Sequence, residues 1–159
     1  MKTINAEYTA PPCILYVENH NDSREMLTLM LTGVGYAMST ATSIADGLIS
    51  ARRKHFDLYI LDSKLADGNG IELCLQIRAF DALTPIIFYS SLAYPWNIKA
   101  GLDAGAQAYL TKPMGIYTIT QTIAGLLGEA KISRVQIAPR ESSDKNDRTH
   151  NLSGIDFSA

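Results

Sequence analysis

The stretch Asp57-Leu58-Tyr59-Ile60-Leu61-Asp62-Ser63-Lys64-Leu65-Ala66-Asp67-Gly68-Asn69-Gly70 decides how this chain is read. Leu58 to Leu61 form an apolar run too short for a helix. It suits a strand buried on both faces, as in a parallel sheet flanked by helices. The run stops on a carboxylate, Asp62. Asp67-Gly68-Asn69-Gly70 then turns the chain, and Ile71, Leu73, Cys74, Leu75 and Ile77 follow at helical spacing. Asp62 is therefore expected at the carboxyl end of a central strand, where open α/β sheets place their ligand crevice. A lone aspartate there would be read as a turn cap. The flanking sequence gives it company.

Upstream, Cys13-Ile14-Leu15-Tyr16-Val17 reads as a first buried strand that stops at Glu18-Asn19-His20-Asn21. Asp22 with Glu25 has capping-box spacing, and Met26, Leu27, Leu29, Met30, Leu31 and Val34 predict a helix ended by Gly33 and Gly35. Tyr36 to Thr40 is a short second strand. Ser43 caps a second helix with Ile44, Ala45, Leu48, Ile49 and Ala51 inward, and Arg52-Arg53-Lys54 complements its C-terminal dipole. Downstream, Pro85 to Tyr89 is a fourth strand ending on Ser90-Ser91. The link Leu92 to Trp96 leads to a helix through Ala100, Leu102 and Ala104. Ala106 to Thr111 is a fifth strand before Lys112-Pro113, and Ile116 to about Ala130 is a last helix. Five strands alternating with five helices predict a doubly wound α/β domain over residues 12–130.

Composition agrees. The 159 residues suffice for one domain with a core, and 47% apolar with 19% charged residues is globular usage. A net charge of −2 gives no global attraction to nucleic acid or anionic membrane. Residues 1–11 read as a flexible leader without a signal-peptide core, and no run approaches transmembrane length, so a cytoplasmic protein is expected. Cys13 and Cys74 lack metal-ligand spacing and read as reduced thiols. The 131–159 tail is polar, with no aliphatic side chain between Arg140 and Asn151, and is expected to be disordered and to hold no effector domain.

The strand ends carry Glu18 and Asn19, Asp62, Ser90 and Lys112. Two carboxylates, an amide, a hydroxyl and an ammonium at one sheet edge are what phosphoryl transfer to a carboxylate needs: a nucleophile, oxygen ligands for a divalent cation, and groups to hold phosphoryl oxygens.

These residues, in this order, make Pro12 to about Ala130 resemble a response-regulator receiver domain: Val17-Glu18-Asn19, the signature Asp62 to Gly70, Ser90-Ser91 and Lys112-Pro113. The resemblance implies a flavodoxin-like five-stranded parallel sheet in the order 2-1-3-4-5 with five helices. It implies Asp62 as phosphoacceptor, with Ser90, Ser91, Tyr109 and Lys112 as phosphoryl-binding and switch residues. It implies Mg2+ held by Glu18, Asn19, Asp62 and the Lys64 backbone carbonyl, and a cis Lys112–Pro113 peptide. The implied partners are a histidine kinase or phosphotransfer protein, and a downstream protein on the face of helix four, strand five and helix five. A homodimer on phosphorylation is also compatible. Such a domain assists its own phosphorylation and dephosphorylation and is not otherwise an enzyme.

Three positions depart from the family pattern: Asn19 in place of the second acid, Lys64 two residues after the phosphoacceptor, and Ala66 in place of a proline. Asn19 supplies an oxygen without charge, and an inward Lys64 would compete with the ion, so weaker Mg2+ binding is expected. The alternative is a pseudo-receiver, a phosphorylation-independent interaction module, which Asn19 favours and the Asp62, Ser90 and Lys112 set opposes. A flavodoxin-like small-molecule enzyme lacks its glycine-rich phosphate loop after strand one. His20 beside the pocket reads as a loop histidine or, less readily, a base or ligand; His55 and His150 read as loop and tail residues. Tyr94-Pro95-Trp96 reads either as aromatics folded over helix four or as a partner anchor.

Overall fold

Cys13–Val17 (β1), Ala37–Ala41 (β2), Leu58–Leu61 (β3), Ile86–Ser90 (β4) and Ala108–Thr111 (β5) pair in parallel in the order β2-β1-β3-β4-β5. This is a computed structural model, and it describes residues 9–137. Asn21–Gly33 (α1), Ile44–Arg53 (α2), Gly70–Arg78 (α3), Pro95–Asp103 (α4) and Ile116–Ile137 (α5) cover both faces of the sheet. Strand residues alternate between two cores. Ile14, Tyr16, Leu58, Ile60 and Ile87 pack with Leu27 and Leu31 of α1 and Ile119 and Ile123 of α5. Leu15, Val17, Tyr59, Leu61 and Phe88 pack with Ile44, Ala51, Leu73, Cys74 and Ile77 of α2 and α3. A strand buried on both faces has no polar positions to spare, which is why β3 reads as a continuous apolar run. Among the described residues no helix is long and apolar enough to cross a membrane.

The structure departs from the sequence expectations in several places. The Asp22–Glu25 capping box does not form. The N-cap is His20, with extended backbone, so Asp22 already lies inside the first turn; Glu25 accepts instead from Asn21 Nδ2 at 2.9 Å. In α2 the buried stripe is Ile44, Gly47 and Ala51, and Ala45 and Ile49 lie off it and face solvent, as do Leu75 in α3 and Met26, Leu29 and Val34 at α1. Pro95 opens α4 itself at its first turn, where its missing N–H costs nothing. Between β3 and α3 an unexpected antiparallel hairpin joins Lys64–Leu65 to Gly68–Asn69. The last helix passes the expected end near Ala130 and is helical through Ile137, the last of the described residues. Most of the leader and residues 138–159, including His150, lie outside the described residues.

Candidate functional site

Sheet register builds the site. Val17 pairs with Leu61, so Glu18 and Asp62 leave adjacent strands side by side. The Asp62 N–H donates to Val17 O (3.0 Å) and the Lys112 N–H donates to Ser90 O (2.8 Å), which locks the strand ends into one edge. Lys112 Nζ reaches across this edge, pairing with Glu18 Oε2 and lying 3.2 Å from Asp62 Oδ2. The Lys112–Pro113 peptide is cis. Burial works against the ammonium, but the hydrogen bond it donates to Glu18 and the charges of Asp62 and Glu18 outweigh it and raise the Lys112 pKa. The ammonium also lies 5.3 Å from the Tyr89 ring centroid.

Glu18 is almost fully buried, so its charge needs several donors. Among the described residues it has three: Lys112 Nζ, the His20 backbone N–H (2.9 Å) and the Tyr16 phenol (3.2 Å). Tyr16 was not anticipated as a site residue. Its signal was its place two residues before the acid at the end of β1, where a period of two puts both side chains on one face. Burial, and then the neighbouring Glu18 charge, push its phenol well above the usual tyrosine value, so it remains a donor. Asp62 Oδ1 accepts from the Lys64 N–H at 3.3 Å. Asn19 is exposed at the rim of a hollow of about 420 Å³ with His20, Asn21 and Asp22.

Lys64 does not turn into the pocket. Its side chain is exposed and, among the described residues, pairs with neither Asp62 nor Glu18, because the hairpin at Lys64–Leu65 buries Leu65 and turns the preceding side chain outward. Glu18, Asp62 and Lys112 therefore sum to −1 − 1 + 1 = −1 at the pocket. Among the described residues no group of three acid, histidine or cysteine side chains gathers as a metal site. The two carboxylates and the exposed amide offer only oxygens, which fits a hard divalent ion that keeps several waters.

Ser90 and Tyr109, expected as a pair, make no hydrogen bond to each other. Ser90 is wholly buried and its Oγ accepts from the Leu92 N–H (3.2 Å), while Ser91 is exposed. Tyr109 is turned into the fold, stacked on Phe88 at 5.5 Å, with its phenol 2.9 Å from Ser63 Oγ and 2.7 Å from Leu92 O. The neighbour of Asp62, not the Ser90 hydroxyl, meets the tyrosine.

Other singled-out residues fall elsewhere. His20 contributes its backbone N–H to Glu18, and His55 Nε2 lies 3.7 Å from Asp57. Tyr94 and Trp96 stack on each other at 4.5 Å and stay exposed at the start of α4. Arg52 covers the Phe80 ring and Lys54 the Phe56 ring. Both cations border a wide hollow of about 670 Å³, with Asp81 and Leu83, remote from Asp62. Cys13 and Cys74 are free.

A family model described as response regulator receiver domain matches residues 14–124. Response regulator ArlR of Staphylococcus epidermidis is 37% identical over 114 residues, which is 72% of this chain and 52% of that protein; ArlR of Staphylococcus aureus matches at the same identity and coverage. The chain thus spans about half the length of the curated relatives it matches. A CheY-like response regulator receiver domain protein from Methanospirillum hungatei superposes with a TM-score of 0.74 at 26% identity, covering 77% of this chain and 98% of that one. The receiver domain of sensor histidine kinase PA1611 from Pseudomonas aeruginosa, solved with a magnesium ion coordinated in its active site cleft, gives a TM-score of 0.71 at 26% identity and covers 75% of this chain and 99% of its own. Glu18, Asp62, Ser90 and Lys112 all fall within the matched span, on a sheet of the same order, and the chain belongs to the response regulator receiver domain family.

Proposed function

We propose that Asp62 is a phosphoacceptor in a two-component relay. A carboxylate oxygen of Asp62 attacks the phosphorus of a phosphohistidine on a histidine kinase or phosphotransfer protein; the N–P bond breaks as the O–P bond forms, and the imidazole leaves. The observation that carries this reading is the Lys112 ammonium 3.2 Å from Asp62 Oδ2, already held by Glu18 and so fixed where phosphoryl charge would develop. Ser90 lies on the adjoining strand end to take a phosphoryl oxygen. Magnesium, when bound by Asp62, Asn19 and Glu18, would offset phosphoryl charge. A downstream protein reads the surface of α4, β5 and α5, on which Tyr94 and Trp96 are exposed. The domain works in the cytoplasm as a signalling phosphoprotein and not as a turnover enzyme.

A second reading is supported by two observations. Glu18 already carries three hydrogen bonds and Asn19 brings no charge, as a phosphorylation-independent interaction module would allow. Intact mass after treatment with a small phosphodonor and magnesium separates the two. One added phosphate that is lost in Asp62→Asn supports the relay, and an unchanged mass at saturating donor supports the module.

A further inference from the structure

Ser63 follows Asp62 directly and is buried with it. Its Oγ lies 2.9 Å from the Tyr109 phenol oxygen, which also contacts the Leu92 carbonyl at 2.7 Å. A carbonyl only accepts, and a phenol has one hydrogen. That hydrogen goes to Leu92 O, so for both contacts to be hydrogen bonds the Ser63 hydroxyl must donate to Tyr109. The ring is also closely packed. Phe88 stacks on it, and a Cβ at Gly101 of α4 would come within 2.9 Å of its Cδ2 atom. Tyr109 thus occupies a fitted seat whose polar end is closed by a residue of the Asp62 loop and a residue of the loop before α4.

We propose that Ser63 is a positioning residue for Tyr109: its hydroxyl donates to the phenol and holds the ring inward, tying the loop of Asp62 to the Leu92 loop that leads to Tyr94 and Trp96. The bond requires neither Ser90 nor a phosphoryl group, so it biases Tyr109 inward irrespective of phosphorylation. Losing one neutral hydrogen bond shifts such a two-position equilibrium about fivefold. The proposal concerns the same site as the relay reading and rests on it only for the meaning of the inward position.

The test uses full-length protein with fluorotyrosine in place of tyrosine, and the Tyr109 fluorine resonance assigned by its loss in Tyr109→Phe. In Ser63→Ala the resonance should move toward a second, outward environment by a population change of about fivefold, and Ser63→Thr should restore the natural position. A merely structural serine would not be rescued in this way. Denaturation midpoints supply a second measurement: in a Tyr109→Phe background, which lacks the phenol oxygen, Ser63→Ala should cause no further loss. An unmoved resonance in Ser63→Ala, or fully additive midpoints, overturns the proposal. The fluorine result stands whether or not a phosphodonor labels Asp62, and the mass measurement alone decides the relay.

Discussion

The Asp67 carboxylate accepts a 2.8 Å hydrogen bond from the backbone N–H of Ile44, the first residue of α2. Its other oxygen takes the Ala45 N–H at 3.1 Å, and Ser43 Oγ takes the Asp46 N–H at 3.1 Å. Between them the two caps satisfy three of the orphan N–H groups of α2, one of them locally and two from a loop more than twenty residues away. The loop after the phosphoacceptor is thereby tethered to a helix start.

The hydrogen bonds from Ile44 and Ala45 hold the Asp67 pKa below its ordinary value. A depressed carboxylate stabilises above its unfolded value, about 3.9, and the contribution is lost as pH falls through the lower folded value. Asp67→Ala should therefore melt lower than the natural protein at pH 7, with the gap closing as pH falls below the unfolded value. Amide exchange at Ile44 and Ala45 should accelerate in the variant at neutral pH. Equal melting temperatures at pH 7 would remove the tether from this account.

Gly70 opens α3 where any Cβ would overlap the Asp62 backbone carbonyl. Backbone cannot move aside as a long side chain can, so Gly70→Ala should destabilise by on the order of 3 kcal/mol, the upper range for overpacking. It should also displace Asp62 and slow labelling by a phosphodonor. Urea denaturation and intact mass measure the two effects.

Lys112 stands between two carboxylates, one of them almost fully buried. Lys112→Met leaves Glu18 and Asp62 facing each other without a cation, and should cost about 2–3 kcal/mol. Because the Lys112 pKa is raised in the fold, its contribution is fully present below about pH 10 and is lost only as pH climbs through the raised value. The gap between natural and variant proteins should thus be level from pH 6 to 9. A gap that varies across that range would point to another titrating group.

The pocket charge of −1 makes magnesium affinity sensitive to position 19. Asn19→Asp should bind magnesium about tenfold more tightly, a share of about 1.4 kcal/mol left after screening and rearrangement of the direct charge term. Lys64→Ala should change it less than about twofold, since the Lys64 side chain is exposed and unpaired with the acids among the described residues. Calorimetric titration of the three proteins measures this, and a large gain in Lys64→Ala would show that the ammonium reaches the ion.

The apolar run Leu58 to Leu61, the strands before and after it and the turn at Gly68 to Gly70 settled the layer order and brought Glu18, Asp62, Ser90 and Lys112 to one edge. Each depends on local composition and on the rule that parallel strands end together. Side-chain direction within helices was less legible: Ile49, Leu75 and Leu29 are apolar yet exposed, because a stripe of about 100° leaves room for only one helix face against the sheet. What only the tertiary structure decided are encounters between residues far apart in the chain. Tyr109 meets Ser63 and not Ser90, Asp67 caps α2, and the Lys64 side chain turns outward at a hairpin of two short strands. A sequence states which groups can donate or accept, but the partner each one finds is set by register and loop path, over distances where neither periodicity nor propensity carries information.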